Sequence, residues 1–197
     1  MNIIKRIFCG LFGHKKSRSV GPTLTVFVAV NPEKTPMEEA ERLVAEQAEK
    51  LAFLKPQTAI MAYHDEAEYR KIFKELLADT ITTDFVLVLN PKANTINKED
   101  WSDEFFSYDF VGKPLKKENW IKKIFQFRGQ DPENDNLYVG KGCPSIRSRQ
   151  LCVAVKDHYV KSPDDYYEDT ALCVHFRDYF ELRGFKFAPV EVSLKLK

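Results

Sequence analysis

"TLTVFVAV", residues 23–30, is apolar on both of its faces. A strand with one wet face alternates apolar and polar side chains, so this run is expected to be a strand buried between two layers of helix. The flanking residues extend the pattern. After "NPEK" come Thr35, Pro36 and Glu38, which read as a capping box with proline at the first helical position. The helix is predicted to reach about Leu54, with Ala40, Leu43, Val44, Ala48 and Leu51 on one face. "TAIMAY", residues 58–63, is the next strand, and Asp65 opens a second helix whose inner face is Tyr69, Ile72, Phe73, Leu76 and Leu77. "DFVLVLN", residues 84–90, is the third strand. Two crossovers of this length imply a right-handed, parallel βαβαβ unit, and hence an α/β fold.

Open parallel sheets bind ligands outside the carboxyl ends of their strands, where the connections diverge. The first and third strands end alike, in "VAVNPEKT" and "LVLNPKANT". Asn31, Glu33, Thr35, His64, Asp65, Asn90 and Asn94 are expected along that edge, although Asn-Pro is also an ordinary way to end a strand. No glycine-rich fingerprint follows the first strand, which argues against a dinucleotide site of the Rossmann type.

A second candidate is "LYVGKGCPSIRSR", residues 137–149. Gly140 and Gly142 would let backbone amides approach an anion, Ser145 could donate, and Lys141, Arg147 and Arg149 supply charge. Read as a basic loop between two strands, "NLYV" and "QLCVAV", it could hold phosphate or be no more than a hairpin turn. Tyr138, Gly140 and Arg147 resemble the second half of the GIY-YIG nuclease motif. No Gly-Ile-Tyr precedes them and a strand is expected after Arg147, so that family is set aside.

Between these candidates the rhythm changes. "NKEDWSDEFFSYDF" is acidic and aromatic, whereas residues 114–128 are expected to form a basic helix with Leu115, Trp120, Ile121, Ile124 and Phe125 inward and Gly129 as its stop. Lys116, Lys117, Lys122, Lys123 and Arg128 give it a positive surface of the kind that single-stranded nucleic acid or a protein partner could use. Further on, Ser162 and Pro163 start a helix that Gly184 ends, and Asp169 lies on its apolar face. An acid there either bonds a backbone donor or acts as a catalytic carboxylate. "VEVSLKLK" alternates and is predicted to be a C-terminal edge strand. The C-terminal strands are expected to extend the sheet in antiparallel fashion.

Composition bounds the function. The 197 residues are 44% apolar, with 15 Phe and 8 Tyr, enough for one cored domain over residues 21–197. Residues 1–20 carry Lys5, Arg6, Lys15, Lys16 and Arg18 among Ile3, Ile4, Ile7, Phe8, Leu11 and Phe12. This is the pattern of a short amphipathic helix and linker, suited to a partner or, over residues 1–16, to weak contact with a membrane surface. The net charge of +1 excludes a global nucleic-acid footprint. Cysteines at 9, 143, 152 and 173 form no CxxC pair, so thiols in a reducing, cytoplasmic setting are expected, with neither a metal site nor a cofactor.

Two functions fit these features. The favoured one is a non-catalytic interaction module that docks an unidentified protein through its amphipathic N-terminus and the basic aromatic helix 114–128. The other is a protein that binds the phosphate of a nucleotide or nucleic acid through residues 138–149, with Asp65, Asp169 or His64 available for hydrolysis.

Overall fold

The computed structural model describes residues 21–92, 95–116, 137–159 and 168–196. Five strands form one mixed sheet in the order β2-β1-β3-β5-β4: β1 (Leu24–Val30), β2 (Gln57–Ala62), β3 (Phe85–Leu89), β4 (Phe110–Lys116) and β5 (Leu137–Ser148). β1 runs parallel to both β2 and β3, while β5 is antiparallel to β3 and β4. The α/β architecture, with a parallel N-terminal unit extended by an antiparallel strand, is the one expected.

Helices cover both faces. α1 (Met37–Lys50) places Ala40, Leu43 and Val44 on one side of the sheet against Val26, Val28, Val30, Leu87 and Leu89. α2 (residues 66–80) lies on the other, where Ile72, Phe73 and Leu77 meet Phe27, Ala29, Val86 and Val88. α2 is α-helical over Glu66–Lys71 and Leu77–Thr80, with a π-helical turn, Ile72–Leu76, between them. Because consecutive residues of β1 face opposite layers, a strand buried at all seven positions had to be apolar on both sides. Over β4 and β5 the second layer continues with α3 (Arg149–Tyr159) and α4 (residues 168–181). Their side chains Leu151, Val155, Leu172 and Phe180 gather around Phe110.

Several local expectations are corrected. "QLCVAV" is helix rather than strand: Ser148 accepts the Leu151 amide through its hydroxyl, a capping bond that starts α3. A helix therefore does follow Arg147, and the missing Gly-Ile-Tyr is the remaining ground for setting the nuclease motif aside. "VEVSLKLK" begins with a helical turn, Val190–Ser193, not an edge strand, because Val192 and Leu196 are needed against the core under α1. Residues 114–116 belong to β4, so no helix starts at Pro114; residues 117–128 lie outside the described residues, as does the proposed start of a helix at Ser162. Thr35 is not a cap either. Pro36 holds the N-cap position of α1 and Thr35 is buried. Asp65 does cap α2, accepting the Glu68 amide at 2.8 Å.

The segment taken for a basic loop is the long strand β5. Its pairing with β4 jumps from Gly112↔Ser145 to Lys113↔Lys141, so residues 142–144 have no partner across the ladder and form a bulge. The glycines serve that bulge rather than a turn between strands.

The amino edge of the sheet is tied by Asp84. Its carboxylate accepts the Thr23 amide at 2.9 Å and the Thr23 hydroxyl at 2.8 Å, and its carbonyl accepts the Arg149 amide at 2.7 Å. The bonds from Thr23 hold the Asp84 carboxyl below the usual carboxylate range. A lowered folded pKa stabilises above the unfolded value and is lost as pH falls through the folded one. Asp84→Asn should therefore flatten the acid limb of the stability curve between about pH 5 and pH 2. Parallel losses in both proteins, followed by urea melts, would contradict this.

Candidate functional site

α1 leaves β1 on one face of the sheet and α2 leaves β2 on the other, so the chain parts at the carboxyl ends of β1 and β3. Both strands stop in the same way. Asn31 Oδ1 accepts the Glu33 amide at 3.0 Å, and Asn90 Oδ1 accepts the Lys92 amide at 2.9 Å. Each is a turn in which the side chain stands in for backbone, with proline fixing the intervening residue. Asn31 does more, since its Nδ2 donates to the His64 carbonyl at 3.0 Å and so joins the ends of β1 and β2. It is only 4% exposed.

Between these turns lies a cleft of about 240 Å³. Lys34 and Lys92 follow the two Asn-Pro turns on its rim, and Thr35 lines it with Asn31 and Asn90. Neither lysine ammonium has a hydrogen bond or ion pair among the described residues, so both charges are available to a ligand. Tyr63 and Tyr69 also line the cleft, edge to face with ring centres 5.0 Å apart, and the Phe73 ring lies 4.9 Å from that of Tyr69. Burial, and to a lesser degree Cys143 nearby, push the Tyr63 phenol above its ordinary range, so it remains a neutral donor.

Cys143 reaches this cleft because of the bulge. Gly142 is gripped on both sides of its peptide: its amide donates to Asp169 Oδ2 at 3.0 Å, and its carbonyl accepts Arg147 Nη2 at 3.1 Å together with the Ser145 hydroxyl. Arg147 Nε also donates to Ser145 Oγ at 3.0 Å. The guanidinium sits 5.3 Å from the ring centre of Phe73 and 5.6 Å from that of Phe110. A Cβ on Gly142 would stand 3.0 Å from the Asp169 Cβ, which is why glycine occupies this position.

The two sequence candidates thus meet at one edge, but through different residues from those expected. Asn31, Asn90, Thr35 and Cys143 line the cleft. Ser145 and Arg147 are buried inside the sheet and bonded to their own strand, so their polar groups serve the fold. Arg149 stands at the far, amino edge, where its Nε donates to the Ile81 carbonyl at 3.1 Å. Gly140 is buried within β5, and the side chain of Lys141, like Asn94, lies outside the described residues. His64 is exposed on the rim of α2 and donates its amide to Glu68. Asp65 caps α2 and Asp169 takes the Gly142 amide, the structural alternative weighed for it.

Sequence reasoning passed over Lys34, Lys92, Tyr63 and Tyr69. A signal for the lysines existed: each follows Asn-Pro within two residues, at matching ends of the first and third strands. Beyond Pro91 and Lys92 a shallower hollow opens along α1, where Glu39 and Glu46 offset Arg42 and Lys50. Among the described residues no group of His, Cys, Asp and Glu is placed to hold a metal ion, and no helix is long and apolar enough to cross a membrane.

The division between fold and cleft can be tested directly. Arg147→Ala removes two hydrogen bonds and two ring contacts and opens a void, and should cost about 3 kcal/mol in urea unfolding. Asn90→Ala, at an exposed turn, should cost at most about 1 kcal/mol. Equal costs would contradict the assignment. No family model matches this chain, and none of the curated proteins compared with it matches either.

Proposed function

We propose that the chain binds a small phosphate-bearing ligand, of mononucleotide size or less, in the cleft at the carboxyl ends of β1 and β3. One observation carries this reading: two unpaired lysines share a cleft with a pair of edge-to-face tyrosines at the point where the crossovers diverge. Cations flanking an aromatic surface suit a ligand with an anionic end and a flat ring. Lys34 and Lys92 would take the anion, Tyr63 and Thr35 offer hydroxyls, and Tyr69 offers a ring face. The amino end of α1 adds a favourable field at the same edge, which Glu38 and Glu39 partly offset. No catalytic step is assigned.

In this proposal the cations lie at the two Asn-Pro turns rather than, as the sequence had suggested, on β5. Docking of a protein partner through residues 1–20, or weak membrane contact through residues 1–16, rests on sequence pattern alone, as does docking through residues 114–128, of which 114–116 are strand. A reducing, cytoplasmic setting accords with Cys143, Cys152 and Cys173 remaining thiols.

A thermal-shift series with nucleoside monophosphates, cyclic dinucleotides and inorganic phosphate tests the binding reading. At about 100 times its dissociation constant a ligand adds about 2.7 kcal/mol, a rise on the order of 5–10 °C for a chain of this length. The combined change Lys34→Ala and Lys92→Ala should remove the shift and leave the ligand-free melting point within about 2 °C. Failure of every phosphate compound to raise the melting point would refute the reading.

A further inference from the structure

We infer that β2 is an assembly edge: two copies of this chain pair β2 with β2, antiparallel about a two-fold axis at Ile60, into one continuous sheet. Among the described residues β2 has a neighbour on one side only. The Tyr63 amide donates to the Val30 carbonyl, which fixes the phase of the strand. Tyr63, Met61 and Ala59 turn their peptide groups toward β1, so those of Thr58, Ile60 and Ala62 point outward. None of these outward groups is hydrogen-bonded among the described residues.

Exposed edges normally carry a charge, a proline or a bulge that discourages pairing. Gln57–Ala62 itself has none of them, Pro56 standing just before the strand, and its register with β1 is unbroken. The opposite edge differs. There the chain covers the start of its own β4: the Lys186 carbonyl accepts the Asp109 and Phe110 amides, and the Ala188 amide donates to the Phe110 carbonyl.

A second copy fits better than an unrelated strand because β2 is complementary to itself. Antiparallel pairing with Ile60 opposite Ile60 sets Thr58 opposite Ala62, so the outward-facing residues become mutual hydrogen-bonding pairs. Just beyond the strand ends, the same pairing brings Lys55 of one copy to the end of the junction where Asp65 of the other lies. Lys55 has no ion pair among the described residues, whereas Asp65 uses one oxygen to cap α2. Opposite charges thus close both ends of the junction. A two-fold axis normal to the sheet keeps the α1 layers on one face and the α2 layers on the other, and the closed symmetry stops assembly at two copies.

Sedimentation of the full chain should give twice its 22.9 kDa mass. Thr58→Pro removes an outward amide and leaves the β1 ladder intact, so it should weaken the dimer at least about tenfold, which is about 1.4 kcal/mol. Facing residues of a hydrogen-bonded antiparallel pair are about 5.5 Å apart at Cα, within disulfide range. Ile60→Cys should therefore cross-link under mild oxidation, whereas Ala59→Cys and the parent protein should not. If Thr58→Pro does not fold, the cysteine pair still decides. A monomer at every concentration, a dimer indifferent to Thr58→Pro, or cross-linking at position 59 in preference to 60 would overturn the inference.

Discussion

The grip of Arg147 on the Gly142 carbonyl is the contact on which the two halves of the molecule depend. A guanidinium only 3% exposed is tolerated inside a sheet when its donors are engaged and its faces lie on aromatic rings. Here the engaged groups belong to its own strand, and the rings come from α2 and β4. One side chain therefore links the parallel unit, the bulged strand and the far edge. Asp169 completes the arrangement by taking the amide of the same glycine, which binds α4 to the bulge. Without those bonds Gly142 would have a buried carbonyl and amide to satisfy, a cost comparable to losing the hydrogen bonds themselves.

That bulge also shapes the cleft. Antiparallel β5 enters beside the carboxyl end of β3, and its extra residues turn Cys143 toward the space between the Asn-Pro turns. The parallel half supplies lysines and tyrosines, and the antiparallel half supplies a floor. A second tie lies at the amino edge, where Asp84, Thr23 and Arg149 are joined. The open end of the sheet can then hold unpaired charge without carrying the fold.

Most of the parallel unit was legible in the sequence, for a definite reason. β1 and β3 are buried on both faces and lie between amphipathic helices, so burial alone dictated their composition. The C-terminal third was less legible. "LCVAV" satisfies a buried strand and a buried helix equally, and what decides is the Ser148 hydroxyl capping α3, a single local bond. The glycines, lysine and arginines of residues 140–149 looked like a ligand loop because bulges and anion loops ask for the same residues. Only the pairing of β5 with strands far upstream separates the two, as with Val86↔Arg147 in β3 and Gly112↔Ser145 in β4. Asn31 and Asn90 line the cleft as strand-end residues, but the lysines beside them carry no pattern of their own in the sequence beyond following the two Asn-Pro turns.

The strand order has a consequence for how the chain is made. β3 lies between β1 and β5, yet β5 begins at Leu137, roughly fifty residues after β3 ends. During synthesis the nascent chain completes its parallel unit while one flank of "FVLVL" remains open. That segment is uncharged, apolar and rich in β-branched residues, the composition most prone to pairing with strangers. Closing so long a loop is slow, and shortening the chain before β5 would leave the flank uncovered for good. A fragment limited to the parallel half would therefore hold every cleft residue except Cys143 and still make a poor soluble reagent.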